Sequence, residues 1–266
     1  MKKTIKKMFA LVLAVITVAT LFAGCSVKSD SKNSLKLGFD PTFPPMGFRD
    51  ESGKYVGFDI DVAKKAVTYM DGYDDVELIP IDWDAKDQEL KAGTIDCIWN
   101  GFTMHVETRD EDYAWTDAYM NNSQVIVINK NSEITKAEDL AGKTVAVQKD
   151  SSGLAAINDT PEFKNTLGKV IEIGDYESAL LELESGSVDA IVMDEIVIGY
   201  KISQGKDQFK ILDKVLAEEE YGIAFAKNNT KTRDAVQAAL EKMNEDGSLA
   251  KISKEWFSKD ITTIGK

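Results

Sequence analysis

Histidine and cysteine are almost absent from this chain. Its 266 residues contain a single histidine, His105, and two cysteines, Cys25 and Cys97. Cys97 lies in an apolar segment with no histidine beside it, so it is most simply a small core residue and not a nucleophile. No group of side chains has the spacing of metal ligands. We therefore expect neither a metal centre nor any other cofactor.

Positive charge is also scarce. Lysine and arginine number 32 against 45 aspartate and glutamate residues, which gives a formal net charge of −13. Such an excess of acids argues against nucleic-acid binding and against electrostatic adhesion to an anionic membrane surface. The acids are spread along the chain, as on solvated helix faces. Any anion-binding site must therefore be local and built from a few residues.

A long uncharged apolar run occurs at the N-terminus, in residues 8–23, directly after Lys2, Lys3, Lys6 and Lys7. A positive segment followed by a short apolar run that ends in small residues is typical of a secretory signal peptide. The run is short for a membrane-spanning helix. We assign residues 1–24 to a signal peptide.

The residues at the end of this run resemble a bacterial lipobox. They read Leu-Phe-Ala-Gly-Cys over 21–25, although Phe22 replaces the usual aliphatic residue. The resemblance implies that Cys25 becomes a lipidated N-terminus whose several acyl chains anchor the protein to the membrane; the alternative is ordinary cleavage that leaves a free thiol. With Cys25 lipidated, no intramolecular disulfide is possible. Residues 25–34 are the lipidated cysteine and a polar tether.

From residue 35 onward strand and helix patterns alternate, which predicts an α/β fold with largely parallel sheets. The alternation forms two series, and the segments that join them, residues 123–128 and 221–226, themselves read as strands. We predict two lobes joined by two hinge strands. Lobe 1 comprises residues 35–122 and 227–266, and lobe 2 comprises residues 123–226.

Residues 95–117 change character abruptly. An apolar strand stops at Asn100 and Gly101, and Thr103 and a charged run with Arg109 follow. The planar fork of an arginine donates two parallel hydrogen bonds and so suits a carboxylate. We interpret the segment as a carboxylate-binding site. A solvated loop with a surface arginine is the alternative.

Further polar or aromatic residues follow directly after predicted strands. Ligands of open α/β sheets bind at the carboxyl ends of strands. Arg109 suits a carboxylate and Asp194 suits an ammonium, so together they suit a free amino acid held between two lobes. The residues that follow strands are Asp40, Trp83, Asn100, Gly101, Thr103, Ser151, Ser152 and Asp194.

Each of these residues also has a purely structural interpretation. Asp194, Ser151 or Ser152 can be helix N-caps. Asp40 before Pro41 can begin a turn, and Trp83 and Phe43 can be core residues. The ligand-binding interpretation rests on their joint placement at strand ends.

The chain resembles the polar amino-acid family of solute-binding proteins that serve ABC importers. The resemblance covers nearly all of the chain after the tether. It is carried by LKLGFDPTFPPMGF, GKYVGFDIDVAKKA, LKAGTIDCIWNGFTM, AGKTVAVQKDSSG, GSVDAIVMDE and EYGIAFAKNN. It implies a two-lobe periplasmic-binding-protein fold of type II that closes on one amino acid.

The resemblance also implies roles for individual residues. The carboxylate-binding arginine of the family corresponds to Arg109, with Thr103 and Gly101 in support, although the spacing in TMHVETR is longer than usual. Ser152, with Ser151 adjacent, corresponds to its helix-start hydroxyl, and Asp194 to its ammonium-binding acid. Phe43 and Trp83 correspond to side-chain contacts. An acid at Asp40 is typical of members that bind cationic amino acids.

We therefore predict a lipid-anchored, extracytoplasmic, monomeric receptor for a polar and possibly basic amino acid, which delivers its ligand to an ABC permease of the membrane. It is not expected to be an enzyme. The alternative is an enzyme that resembles cyclohexadienyl dehydratases, with Glu195 or Glu107 as general acid. A sensor domain is a third possibility, disfavoured because no signalling or membrane segment follows residue 266.

Overall fold

The computed structural model describes residues 33–106 and 109–266. The predicted signal peptide (residues 1–24) and the predicted lipidation site Cys25 lie outside these residues. The tether was predicted to extend to residue 34, but Asn33 and Ser34 already belong to the first strand. Among the described residues no helix is long and apolar enough to cross a membrane.

Twelve strands occur in the described part of the chain. They are β1 (Asn33–Phe39), β2 (Thr42–Phe43), β3 (Gly47–Arg49), β4 (Tyr55–Val56), β5 (Tyr73–Pro80), β6 (Cys97–Thr103), β7 (Tyr113–Trp115), β8 (Met120–Asn129), β9 (Thr144–Gln148), β10 (Lys169–Ile173), β11 (Ala190–Asp194) and β12 (Phe209–Ala226).

Helices occur in both of the predicted series of alternating strands and helices. They are α1 (Phe58–Ala66), α2 (Lys86–Ala92), α3 (Arg109–Asp112), α4 (Ser152–Asn158), α5 (Pro161–Lys164), α6 (Tyr176–Ser185), α7 (Glu195–Ser203), α8 (Thr230–Glu245) and α9 (Ser248–Phe257). Short 3₁₀ helices occur at Val67–Tyr69, Trp83–Ala85 and Ala137–Leu140.

Nine of the strands form one sheet with the order β10-β9-β11-β8-β12-β6-β1-β5, in which β7 pairs with β12. The strands β5, β1 and β6 are mutually parallel at one end, and β10, β9 and β11 are mutually parallel at the other. The antiparallel pair β8 and β12 connects the two parallel groups. This arrangement agrees with two parallel groups joined by two extended segments.

From their sequence, residues 209–212 and 221–226 are predicted to be two separate strands, and this is wrong, because one strand of 18 residues spans both. The part between them carries Asp213, Lys214 and Glu218, and this polarity hides the strand pattern. Pairing with β8 nevertheless continues as far as Tyr221, with register shifts around Val215. Strand β12 then pairs with β6 and β7, so it belongs to both halves of the sheet.

Aspartate at residue 59 is of a type that favours a helix N-cap, but Asp59 does not cap a helix. Helix α1 begins after Gly57, whose φ of 147° and close approach to Met46 O leave no room for a Cβ atom. Asp59 is instead fully buried, and its Oδ2 accepts hydrogen bonds from Gly101 N at 2.8 Å and from Tyr119 Oη at 3.0 Å. Its carboxylate thus connects α1 to the middle of β6.

Candidate ligand-binding site

A narrow cavity with a free volume of about 10 Å³ lies where the two halves of the sheet meet. Nine of the ten predicted ligand-binding residues line it, and only Asp40 does not. The lining residues are Phe43, Trp83, Asn100, Gly101, Phe102, Thr103, Arg109, Gln148, Ser151, Ser152 and Asp194. Residues from five separate segments of the chain therefore converge on one small space.

Asn100, Gly101 and Thr103 were predicted to follow strand β6, but they lie inside it. The strand continues because Phe102 and Thr103 pair with Gly222 and Tyr221 of β12. Gly101 has a φ of 56°, and a Cβ atom there would lie 2.9 Å from the Tyr221 ring and 3.0 Å from the Phe43 ring. Glycine at this position lets the strand bend against the aromatic wall of the cavity.

Arg109 is the cation of the cavity. Its Nη1 donates to Thr103 O at 2.9 Å, and its guanidinium carbon lies 4.6 Å from the centre of the Phe102 ring. Burial lowers the pKa of Arg109 from its ordinary value, opposed by the nearby Tyr113, Asp150 and Glu219. Among residues 33–106 and 109–266 Arg109 forms no ion pair, and its planar fork suits a carboxylate.

Asp194 is the anion of the cavity and the last residue of β11. Oδ1 accepts hydrogen bonds from Asn122 Nδ2 at 2.8 Å and from Tyr221 Oη, and Oδ2 accepts one from Tyr176 Oη at 3.2 Å. Its side chain makes no capping bond to α7, so it is not a simple N-cap. Burial raises the pKa of Asp194, and hydrogen bonds from Tyr221, Gln124 and Tyr176 oppose the rise.

The two predicted hydroxyls have different roles. Ser151 is the N-cap of α4, since its Oγ accepts a bond from Leu154 N at 3.2 Å and donates to Gln148 O at 2.7 Å. The Oγ of Ser152 accepts bonds from Thr103 Oγ1 at 3.1 Å and Gln124 Nε2 at 3.2 Å. With those two bonds accepted, the hydroxyl proton of Ser152 can still be donated to a ligand.

Phe43 and Trp83 form apolar walls. The Phe43 ring lies 5.9 Å from that of Tyr176, and Trp83 makes an edge contact with Phe102 at 5.4 Å. Both side chains are also buried in the core. Their core role and their position at the cavity are therefore compatible.

Asp40 lies behind the cavity wall. Oδ1 accepts from Thr42 N and Thr42 Oγ1, and Oδ2 accepts from Gln148 Nε2 at 2.9 Å. Burial raises the pKa of Asp40, opposed by these bonds. Gln148, which the sequence analysis missed, stands between Asp40 and the cavity. Its signal in the sequence is a single amide at the end of the apolar run Thr144–Gln148.

A buried polar network on the two central strands was also missed. Asn122 and Gln124 of β8 donate to Oε2 of Glu219 in β12, at 2.8 and 3.1 Å. Asn122 bonds Asp194 as well, so Glu219 and Asp194 share one amide group. Burial, and then repulsion by Asp194, raise the pKa of Glu219 to about 7. Polar residues within otherwise apolar strands are the signal for such a network.

The cavity thus presents a guanidinium, a carboxylate, hydroxyl donors and aromatic walls. Opposite charges with separate partners suit a molecule that is itself zwitterionic. Among residues 33–106 and 109–266, no three His, Cys, Asp or Glu side chains converge as metal ligands. Glu195, the other acid considered for catalysis, is exposed at the start of α7, and Glu107 lies outside the described residues.

Comparison with known proteins agrees with a binding site for a zwitterionic molecule. Residues 35–259 match the profile of the bacterial extracellular solute-binding proteins, family 3. The L-cystine-binding protein TcyJ of Escherichia coli is 28% identical over 94% of this chain and 96% of its own length. The arginine-binding extracellular protein ArtP of Bacillus subtilis is 32% identical, over 95% of this chain and 98% of its own.

A solved structure agrees closely with the fold. It is an ABC uptake transporter substrate-binding protein from Streptococcus pneumoniae with bound histidine. It is 36% identical, with a TM-score of 0.83 over 88% of this chain and 96% of the other. The predicted two-lobe fold of type II periplasmic binding proteins is thereby confirmed.

Proposed function

The chain belongs to the bacterial extracellular solute-binding proteins of family 3, and from this membership we propose that it binds a polar L-amino acid and presents it to an ABC permease. One observation carries the proposal: Arg109 and Asp194 line the same narrow cavity. A free α-amino acid carries a carboxylate and an ammonium on one carbon and would neutralise both.

The roles of the lining residues follow from their free donors and acceptors. Arg109, Thr103 and the Ser152 hydroxyl would bind the ligand carboxylate, with Gly101 allowing close approach. Asp194 would accept from the ammonium. Ser151 supports this side by capping α4, and Asn100, Phe43 and Trp83 would contact the ligand side chain. These assignments rest on the geometry of the cavity and on the chemistry of each group.

The proposed mechanism is closure of two lobes about β8 and β12. The cavity has a free volume of only about 10 Å³, too small for an amino acid, so a ligand must enter while the lobes are apart. We assign residues 35–122 and 227–266 to one lobe and residues 123–226 to the other. Contacts such as Thr103 to Ser152 and Gln148 to Asp40 cross this boundary and would form only on closure.

The ligand side chain would lie near Gln148 and Asp40. A cationic side chain would gain from the Asp40 carboxylate, with Gln148 between them as a shared hydrogen-bonding group. The named ligands of relatives, cystine and arginine, and the histidine in the solved neighbour are all polar amino acids. We propose a polar ligand and include the basic amino acids within that class.

We further propose that Cys25 is lipidated after removal of residues 1–24, which would anchor a monomeric receptor at the outer face of the cell membrane. The relatives are named as binding proteins. No covalent step is proposed, because the groups in the cavity are all accounted for by binding an amino acid.

A thermal-shift panel of the twenty amino acids with cystine and ornithine tests the function. A ligand that binds only the native state raises the melting temperature, by an amount that grows with the logarithm of its concentration relative to Kd. We expect a shift from one or a few polar amino acids, lost in Arg109→Ala. No shift from any of the panel, or turnover of prephenate or arogenate by the purified protein, would overturn the proposal.

A further inference from the structure

Glu219 lies beside the cavity without lining it. Glu219 is 7% exposed and borders an open groove of about 570 Å³, which shares Thr103 and Ser152 with the narrow cavity. These two hydroxyl groups, 3.1 Å apart, separate the carboxylate of Glu219 from the space assigned to the ligand. The groove gives solvent protons access to the neighbourhood of Glu219.

The two oxygens of Glu219 differ in their partners. Oε2 accepts from Thr103 Oγ1 at 3.1 Å, Asn122 Nδ2 at 2.8 Å and Gln124 Nε2 at 3.1 Å. Oε1 is buried and has no hydrogen-bond partner among the described residues. An ionised carboxylate with one buried, unpaired oxygen is unfavourable, and a proton on Oε2 neutralises the group and so lowers the cost of leaving Oε1 without a partner.

The protonation state of Glu219 determines which acceptor the hydroxyl proton of Thr103 faces. Thr103 Oγ1 has one proton and two acceptors within reach, Glu219 Oε2 and Ser152 Oγ. When Glu219 is ionised it attracts this proton, so Thr103 presents only lone pairs to the cavity. When Glu219 is protonated it can donate to Thr103 Oγ1 instead, and the Thr103 proton is then free to bind a ligand carboxylate.

We propose that Glu219 is a positioning residue that takes up one proton as the ligand carboxylate enters, and that this proton converts Thr103 into a donor to the ligand. The inference rests on the proposed function and adds a proton to the bound complex. Because the two events favour each other, the proton raises ligand affinity and the ligand raises proton affinity by the same factor.

The charged surroundings of Glu219 determine the direction of this coupling. Asp194, across the shared Asn122, repels its negative charge, and Arg109 attracts it. Tyr176 and Tyr221 face it as neutral phenols whose pKa is raised by burial. The groups that face it from β6, β8 and α4 are neutral, namely Thr103, Asn122, Gln124 and Ser152.

Two further charged groups lie on β12 itself. Glu218 and Glu220 flank Glu219 and are exposed; Glu218 accepts from Ser123 Oγ, and Glu220 faces His105 at 3.6 Å. With the pKa of Glu219 already raised to about 7, a ligand carboxylate would raise it further. Above pH 7, binding must therefore draw a proton from solvent, and affinity falls as pH rises.

Isothermal titration calorimetry tests this with the amino acid, other than histidine, that gives the largest shift in the panel. For the wild type we expect Kd to be flat near pH 6 and to rise by up to about tenfold per unit between about pH 7 and pH 8.5. At about pH 7.5 the binding enthalpy should differ between phosphate and Tris, since the buffer supplies the proton.

Glu219→Gln keeps the shape of a protonated carboxyl and removes the titration. It should bind with a Kd that does not change with pH and an enthalpy that does not depend on buffer. Glu218→Gln, the matched control on the same strand, should keep the wild-type profile. Carbon-13 spectra of the glutamate carboxyl groups, assigned with Glu219→Gln, should show the Glu219 signal titrating higher in the complex.

The outcomes separate the two proposals. Binding by the wild type without pH dependence or proton uptake would overturn the role of Glu219 and leave the receptor function intact. A Glu219→Gln variant that keeps the wild-type pH profile would also overturn it. Absence of binding at any pH would refute the receptor function itself. If Glu219→Gln does not fold, the buffer dependence of the wild-type binding enthalpy and the pH dependence of the wild-type Kd still test the proposal.

Discussion

The ammonium of Lys86 is paired with the carboxylate of Asp150, yet the two side chains are 2% and 52% exposed. Lys86 Nζ also donates to Asp150 O at 3.2 Å and lies 5.2 Å from the Trp83 ring. Burial lowers the pKa of Lys86, and Asp150 opposes this shift. The pair joins the two proposed lobes beside the cavity, so its buried cation depends on an acid from the other side.

The two halves of this pair should respond differently to mutation. Asp150→Asn leaves the Lys86 ammonium buried without its partner, whereas Lys86→Met removes the buried charge and leaves an acid that solvent can reach. We expect Asp150→Asn to weaken ligand binding by about tenfold or more and Lys86→Met to change it less. Calorimetry with the panel ligand measures both.

The adjacent pair Lys149 and Asp84 is the control, since its side chains are 55% and 40% exposed at 2.6 Å. Exposed pairs contribute about 0–1 kcal/mol, so Lys149→Met should have little effect on affinity. Equal losses from Asp150→Asn and Lys86→Met would contradict the unequal burial as the cause.

Arg109 is expected to be essential for affinity. Arg109→Ala removes the only cation that lines the cavity among the described residues, and we expect a loss of at least about 100-fold in affinity with the fold intact. Arg109→Lys keeps the charge without the planar fork, so its affinity should lie between those of the wild type and Arg109→Ala. The exposed Arg49, which lies over the Tyr55 ring, provides the control in Arg49→Ala. Wild-type affinity in Arg109→Ala, measured by calorimetry, would refute the assignment.

Asp194 should bind the ligand ammonium. Asp194→Asn removes the negative charge and turns an amide towards the donors Asn122, Tyr176 and Tyr221, so affinity should fall by about 30-fold or more. Glu195→Gln, the next residue and an exposed one, should bind as the wild type does. Unchanged affinity in Asp194→Asn would show that Asp194 has only a structural role at the end of β11.

Asp40 should distinguish cationic from neutral ligands. Asp40→Asn keeps an acceptor for Thr42 and loses the charge behind Gln148, so it should weaken cationic amino acids by more than neutral ones. The measurement is the ratio of Kd values for L-arginine and L-glutamine in the variant and the wild type. Equal losses for both ligands would remove the basis for a preference for basic amino acids.

The charged members of the site were predictable because charge is visible in a sequence. Asp194 is an acid directly after an apolar run, Arg109 is the cation of the polar segment after another, and Ser152 opens a helix. Gln148, Asn122 and Glu219 were not found, because their roles depend on which strands become neighbours. Asn122 and Glu219 are 97 residues apart, and only the pairing of β8 with β12 brings them together.

The same limit explains the missed and misplaced elements. A short apolar run that ends at polar residues, such as Thr144–Gln148, can be recognised as a strand from the sequence. The middle of β12 cannot, since its charged residues suit solvent and only its partner strand identifies it. Asp59 has the residue type of an N-cap, and its burial beneath Tyr119 follows from packing that no local pattern records.

Stability should fall as pH rises from about 4 to 7, in part because of Asp59. Burial raises the pKa of Asp59 to about 7, opposed by bonds from Tyr119 and Gly101, whereas an unfolded aspartate titrates near 3.9. Between these two values the unfolded chain loses its proton and the folded chain keeps it. The folded state therefore loses stability with rising pH, by on the order of 4 kcal/mol at full ionisation.

Asp59→Asn should remove this part of the dependence, since an amide oxygen can still accept from Gly101 N and Tyr119 Oη. Urea unfolding midpoints, measured without ligand between about pH 5 and pH 8, report this pH dependence. The midpoint of the variant should fall less with rising pH than that of the wild type. Glu219, whose pKa is also raised to about 7, contributes in the same window, so the slope should not vanish. Exposed Asp71, changed in Asp71→Asn, is the control. Parallel profiles for Asp59→Asn and the wild type would show that Asp59 is ionised in the folded state throughout this range.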